Sequence, residues 1–132
     1  MRITQELLNE LTERAKASPK LRVNYDLRNS EADHSQRMLN AIEPGSVVSI
    51  HRHRFSSETI VCLRGRLVEE FFDEHEHICI ETIELSPNVP IVALNIPAGQ
   101  WHTARALETG TVTLEVKDGQ YVPTGPEDTL SK

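Results

Sequence analysis

Gly45-Ser46-Val47-Val48-Ser49-Ile50-His51-Arg52-His53-Arg54-Phe55-Ser56-Ser57-Glu58, running on through Thr59-Ile60-Val61-Cys62-Leu63-Arg64 to Gly65, is the stretch whose reading decides the fold. Two histidines and a carboxylate stand at metal-ligand spacing between two glycines. Alternate side chains of an extended strand share a face, so His51 and His53 fall one pleat apart, where two imidazoles reach one ion. Arg54 to Ser57 supply a tight turn that returns Glu58 beside them on the neighbouring strand.

Outward from this stretch, short strand candidates recur with turn signals between them, at 37–42, 46–53, 58–63, 67–72, 78–85, 91–96, 101–106 and 111–116. Such even spacing argues an all-β sandwich or barrel. The turns carry their own chemistry in Pro44-Gly45, Gly65, Ser86-Pro87-Asn88, Pro97-Ala98-Gly99 and Asp118-Gly119. Residues 4–17 are the one helix the pattern predicts: Thr4 stands as N-cap, Leu7, Leu8, Leu11 and Ala15 form one apolar face, and Ser18-Pro19 ends it. Residues 21–36 read as a long polar loop with a strand-like patch only around Leu21 to Val23. The expectation is a single mostly β domain over 1–132, with helix and loop to about 36, a barrel over about 37–117 and an irregular tail over about 118–132. Strands 46–53 and 58–63 carry apolar residues on both faces, so the N-terminal helix or a partner subunit must cover the outer one. A homodimer is expected.

A chain of 132 residues, 38% hydrophobic and 26% charged, suits one soluble domain with a modest core. Its formal net charge of -6 repels nucleic acid and anionic membrane surfaces. No run approaches the roughly 18 apolar residues of a membrane span. The opening Met1-Arg2-Ile3-Thr4-Gln5-Glu6 has no apolar leader core, which makes the expected location cytoplasmic. Cys62 and Cys79 lie in apolar runs and are expected as reduced, buried thiols.

A fourth donor must come from elsewhere, and His102 is the candidate, just after the Pro97-Ala98-Gly99 turn. Gly45, His51, His53, Glu58 and Gly65 match the spacing of the first cupin motif, and Pro97-Ala98-Gly99-Gln100-Trp101-His102 resembles the core of the second. Ile91 and Ala106 stand where the general second motif has a glycine and an asparagine; neither is a ligand position. The whole chain, from Ile3-Thr4-Gln5-Glu6-Leu7-Leu8 through Asp26-Leu27-Arg28-Asn29-Ser30 and Gln36-Arg37-Met38-Leu39-Asn40-Ala41 to His102, resembles the WbuC family of small cupin-fold metalloproteins. That family is associated with bacterial surface polysaccharide gene clusters. The resemblance implies a double-stranded β-helix, or jelly-roll barrel, with a short N-terminal α-helix, and one bound metal ion.

A second His-x-His, His75-Glu76-His77, sits in the acidic run 73–77 and reads as a solvated turn, and His34 lies in the polar loop without a partner. Three imidazoles and one carboxylate form a mixed set that suits Zn, Fe, Ni, Mn or Co and leaves coordination positions open for a ligand. Arg28 and Arg37 are candidates to grip a phosphate or carboxylate, with Asn24 and Asn40 beside them. Strand parity lets at most one of Arg37 and Asn40 face the metal. Gln100 shares the strand face of His102, Trp101 points the other way to pack, and Tyr121 is expected over the barrel mouth. Glu58 is the candidate base. Three functions fit these residues: an isomerase or epimerase on a small polar or anionic sugar-type substrate, an Fe(II) dioxygenase, and a non-catalytic sugar-binding or regulatory cupin. The family's gene-cluster association favours the first, in surface polysaccharide metabolism.

Overall fold

The structure is a computed structural model that describes residues 1–130. One helix, α1 (Gln5–Ala17), precedes eight strands: β1 (Arg22–Asp26), β2 (Ser35–Ile42), β3 (Glu58–Arg64), β4 (Leu67–Phe72), β5 (Cys79–Leu85), β6 (Ala93–Ile96), β7 (Trp101–Ala106) and β8 (Thr111–Asp118). They form two antiparallel sheets, ordered β1-β2-β8-β3-β6 and β5-β4-β7. The core between the sheets takes Ile42, Ile60, Cys62 and Ile96 from the larger one and Leu67, Ile83, Leu85 and Ala106 from the smaller. The strand spacing argued a sandwich or barrel, and this is the jelly-roll barrel that the family resemblance implied. No helix is long and apolar enough to cross a membrane among the described residues.

The helix forms where its apolar stripe predicts, with the Thr4 hydroxyl accepting from the Leu7 N–H at 3.1 Å as N-cap. Leu8, Leu11 and Ala15 pack on Leu39, Ala41 and Val112, so the helix covers the outer face of β2 and β8. Alternation then decides the inside: Asn40 and Ile42 on β2, and Thr113, Glu115 and Lys117 on β8, point away from the helix and into the barrel.

Three expectations are corrected. Residues 46–53 do not form a regular strand; His51 alone bridges to β7, exchanging backbone hydrogen bonds of 3.0 and 2.8 Å with His102. Partners outside a sheet hold the other carbonyls instead: Arg22 donates to Val47 O, Thr103 Oγ1 to Val48 O, and the Leu130 and Gly99 N–H groups to Ile50 O and His53 O. The polar loop after the helix contains a full strand, β1, paired antiparallel with β2. Cys62 is buried as expected, but Cys79 is exposed because it starts the edge strand β5. The tail is largely irregular, with one short 3-10 turn (Pro126–Asp128), and its last two positions lie outside the described residues.

Gly65 is required by the fold. Its φ is +84°, and a Cβ there would lie 2.3 Å from Thr111 Oγ1 and 2.6 Å from Thr111 Cα. The glycine lets the β3–β4 turn press against the start of β8, where the Arg66 N–H donates to Thr111 Oγ1.

Candidate metal centre

His51 enters the barrel from its single bridge to β7, and His53 follows two residues on. Glu58 is the first residue of β3 and His102 the second of β7, so two strands and one irregular segment deliver four side chains to one end of the barrel. The three histidines each bring one ring nitrogen within 4.8 Å of the others, with ring centroids 4.4 to 5.9 Å apart. Glu58 Oε1 lies 2.7 Å from His102 Nε2, and Oε2 lies 3.6 Å from His53 Nε2. Neighbouring donors on one ion with bonds of about 2.1 Å stand about 3.0 to 3.4 Å apart, so these separations bracket that spacing.

Hydrogen bonding fixes which nitrogens are free. His51 Nδ1 is 2.8 Å from Ser49 O, and His102 Nδ1 is 2.8 Å from Gln100 O. A carbonyl only accepts, so each Nδ1 carries the hydrogen and each Nε2 presents a lone pair. In His102 that lone pair faces the Glu58 carboxyl, whose oxygens are both buried with no hydrogen-bond donor. Lone pairs facing each other at this distance need a cation or a proton between them. The residues present therefore fit a divalent ion.

The electrostatics agree. Burial is the largest cause pushing the imidazoles down, His51 to about 4 and His53 to about 3, with His102 lowered as well, so all three are neutral ligands at pH 7. Burial, and then a hydrogen bond with Glu115, push Glu58 up to about 10. For Glu115 burial acts upward too, but the bond from Glu58 and the charge of Lys117 outweigh it and hold this carboxyl below its ordinary range. In the metal-free protein the two carboxyls thus hold one proton between them.

The four residues border a cavity of about 270 Å³. Asn40 reaches it as parity allowed, but its amide donates to Glu115 Oε2 at 2.7 Å rather than standing free. Asn24 and Tyr121 also line the cavity, Tyr121 at its mouth and half exposed. Three expected residues are not brought there. Arg28 is paired with Asp26 at 2.8 Å and lies 5.7 Å from the Tyr121 ring; Arg37 is paired with Asp33 at 3.1 Å; Gln100 Nε2 donates to Phe72 O and Trp101 O. Each satisfies a local partner that spacing does not reveal. Trp101 packs as expected, buried beneath Arg52 at 4.7 Å. His75-Glu76-His77 is a turn capped by Asp73, away from the cavity.

Glu115, Lys117 and Glu69 line the same cavity and escaped sequence reasoning. The signal was present in β8, where Thr113, Glu115 and Lys117 alternate with Val112, Leu114 and Val116. A polar face on a strand reads as solvent, whereas here the apolar face meets the helix and the polar face lines the cavity.

Residues 3–85 match a family model described as Domain of unknown function (DUF6016). The chain belongs to this family. No curated protein matches the sequence. Among solved structures, the capsular polysaccharide assembling protein CapF from Staphylococcus aureus is similar with a TM-score of 0.65 and 21% identity, over 81% of this chain and 30% of that one. KdgF from Halomonas sp. gives a TM-score of 0.61 and 18% identity, over 79% of this chain and 84% of that one. An oxalate oxidase in complex with the substrate analogue glycolate gives 0.65 and 14%, over 83% of this chain and 56% of that one. These likenesses show the cupin fold. The DUF6016 chain spans about a third of the length of the CapF chains it matches.

Proposed function

We propose that this DUF6016 protein is a metal-dependent cupin acting on a small polar or anionic sugar-type substrate, by isomerase- or epimerase-like proton transfer. The observation that carries the proposal is the gathering of three neutral imidazoles within 4.8 Å of one another, with a buried carboxyl facing two of them, at the edge of a cavity. A divalent ion there would be held by His51, His53, Glu58 and His102, and when bound it supplies Lewis-acid polarisation of a ligand oxygen. With Glu58 committed to the ion, Glu115 becomes the group placed to accept and return a proton. It lines the cavity, Lys117 lies 3.6 Å from it, and Asn40 orients it through Oε2. The apolar wall of Met38, Ile42, Val48 and Ile60 excludes water from one side of the ligand.

CapF is a capsular polysaccharide assembling protein, which supports a surface polysaccharide context and the WbuC-like assignment. A homodimer in the cytoplasm belongs to the same proposal, and exposed Ile78 and Ile80 along the edge strand β5 support the dimer. The test is elemental analysis of protein purified without added metal, followed by incubation with uronates and phosphosugars in deuterated water. Stoichiometric transition metal, and deuterium appearing at a carbon next to a carbonyl, are expected. Oxygen consumption without deuterium incorporation would instead identify a dioxygenase, and wild type that takes up no metal after reconstitution would end the proposal.

A further inference from the structure

The strand β4 carries one residue that the barrel does not need. Its inward positions alternate Leu67, Glu69 and Phe71, so a carboxyl stands between two apolar side chains of the inner face. Glu69 is 1% exposed, and its Oε2 has no hydrogen-bond partner. Register places it opposite Ala104, one inward step along β7 from His102, and it lines the same cavity as the four metal donors. A buried polar group left unpaired costs stability, whereas Leu or Met at this position would continue the core. A fold alone gives no reason to keep it.

We propose that Glu69 is a ligand-contacting residue at the floor of the cavity, donating a hydrogen bond from its carboxyl to an oxygen of the small polar molecule bound at the metal. The proposal rests on the metal-centre reading above. Three observations support it: near-complete burial, an orphaned oxygen, and a place on the cavity lining beside Ala104 and Ile60. Burial pushes this carboxyl well above the ordinary range, and the neighbouring carboxyls Glu58 and Glu115 add to the effect. A carboxyl kept neutral is a donor, and a donor at the floor pairs with an accepting oxygen of the ligand. Glu115 on the opposite sheet accepts from the Asn40 amide at 2.7 Å, so the cavity presents an accepting and a donating carboxyl to the same ligand. The ligand class that fits is a hydroxy-carbonyl or hydroxy-acid compound with one oxygen on the metal and another pointing inward.

Cobalt-loaded protein tests this without a turnover assay, because the visible spectrum of bound Co(II) reports both loading and ligand entry. Wild type, Glu69→Gln and Glu69→Leu would be titrated with lactate and with D-glucuronate, and their midpoints of thermal unfolding compared. The expected result is full cobalt loading in all three, a midpoint for Glu69→Leu equal to or above wild type, and roughly tenfold weaker probe binding for Glu69→Leu. Glu69→Gln keeps a donor and should bind the probes within about threefold of wild type. Equal probe affinity in Glu69→Leu and wild type overturns the inference while leaving the metal centre intact. So does a lowered midpoint with unchanged affinity, which would mark Glu69 as structural. Wild type that loads cobalt yet responds to neither probe also overturns it, and wild type that takes up no cobalt overturns the metal-centre reading itself.

Discussion

Glu58→Gln separates the carboxyl's role as a metal donor from its cost to the metal-free fold. At pH 7 an ordinary glutamate is ionised, yet burial and Glu115 hold Glu58 protonated in the folded metal-free chain, its value raised from 4.5 to about 10. Holding a carboxyl protonated about 2.5 units above its ordinary value costs at most about 3 kcal/mol, and the shared bond to Glu115 recovers part of this. A neutral amide of the same shape removes that cost, so metal-free Glu58→Gln should be about 1 to 3 kcal/mol more stable. With an unfolding entropy of about 2.1 cal/mol/K per residue and 132 residues, each kcal/mol moves the midpoint by roughly 4 °C. The metal-free variant should therefore melt about 4 to 10 °C above metal-free wild type. Free metal at about 100 times the wild-type Kd adds about 2.7 kcal/mol, or roughly 10 °C, to wild type. A neutral amide is a poor ligand, and with affinity down on the order of 100-fold the variant gains only about 0.4 kcal/mol at the same metal concentration, or under about 2 °C. Circular dichroism melts with and without added Zn read all four midpoints. A metal-free variant that melts below wild type, or a metal-induced shift equal in both proteins, would refute the reasoning.

His102→Ala should lower metal affinity on the order of 100-fold or more while leaving far-ultraviolet dichroism unchanged, as competition with a chromophoric chelator would show. Metal uptake near pH 7 should release about one proton, taken from Glu58 and none from the histidines, because His51 and His53 are already neutral above about 4 and about 3. Calorimetry in buffers of different ionisation enthalpy measures it, and affinity should climb about tenfold per pH unit near neutrality. In the metal-free protein the sign runs the other way for stability: a folded value raised to about 10 from 4.5 means the Glu58 contribution is fully present below 4.5 and is lost as pH rises toward 10. Gly65→Ala should cost at least about 2 kcal/mol, or roughly 7 °C, since its Cβ would collide with Thr111 backbone at 2.6 Å and the φ of +84° is strained for any side chain. Asp128→Ala removes the carboxyl that Arg52 and Arg54 both grip at 2.8 Å, and limited proteolysis should then cut the tail near Pro126 faster than in wild type.

The clustering of these four side chains was legible because its clues are local: His51, His53 and Glu58 are tied by a two-residue period and one turn, and His102 follows a turn with unambiguous chemistry. Strands β4 and β7 fell on the residues expected of them, since each is bounded by a glycine turn or Pro97-Ala98-Gly99. What escaped reading depends on what lies opposite. Arg28 and Arg37 looked like free anion anchors, but aspartates two and four residues away along the chain take them first. Cys79 has apolar neighbours on both sides yet sits on an edge strand, and edge position is a property of sheet order, which no local pattern carries. The cavity wall is the deepest case. Period-two alternation distinguishes the two faces of β8 but does not say which face meets solvent, and the usual inference assigns the polar face outward. In this barrel the helix claims the apolar face of β8, and the polar one closes over a cavity. Glu115 and Lys117 are therefore hidden by the same rule that finds most cores, whereas Glu69 is a lone carboxyl on the apolar face of β4. A strand whose polar face repeats ionisable residues, on a sheet whose other face is already covered by a helix, has only the interior left for those residues to occupy, and there Glu115 and Lys117 find partners in each other and in Asn40.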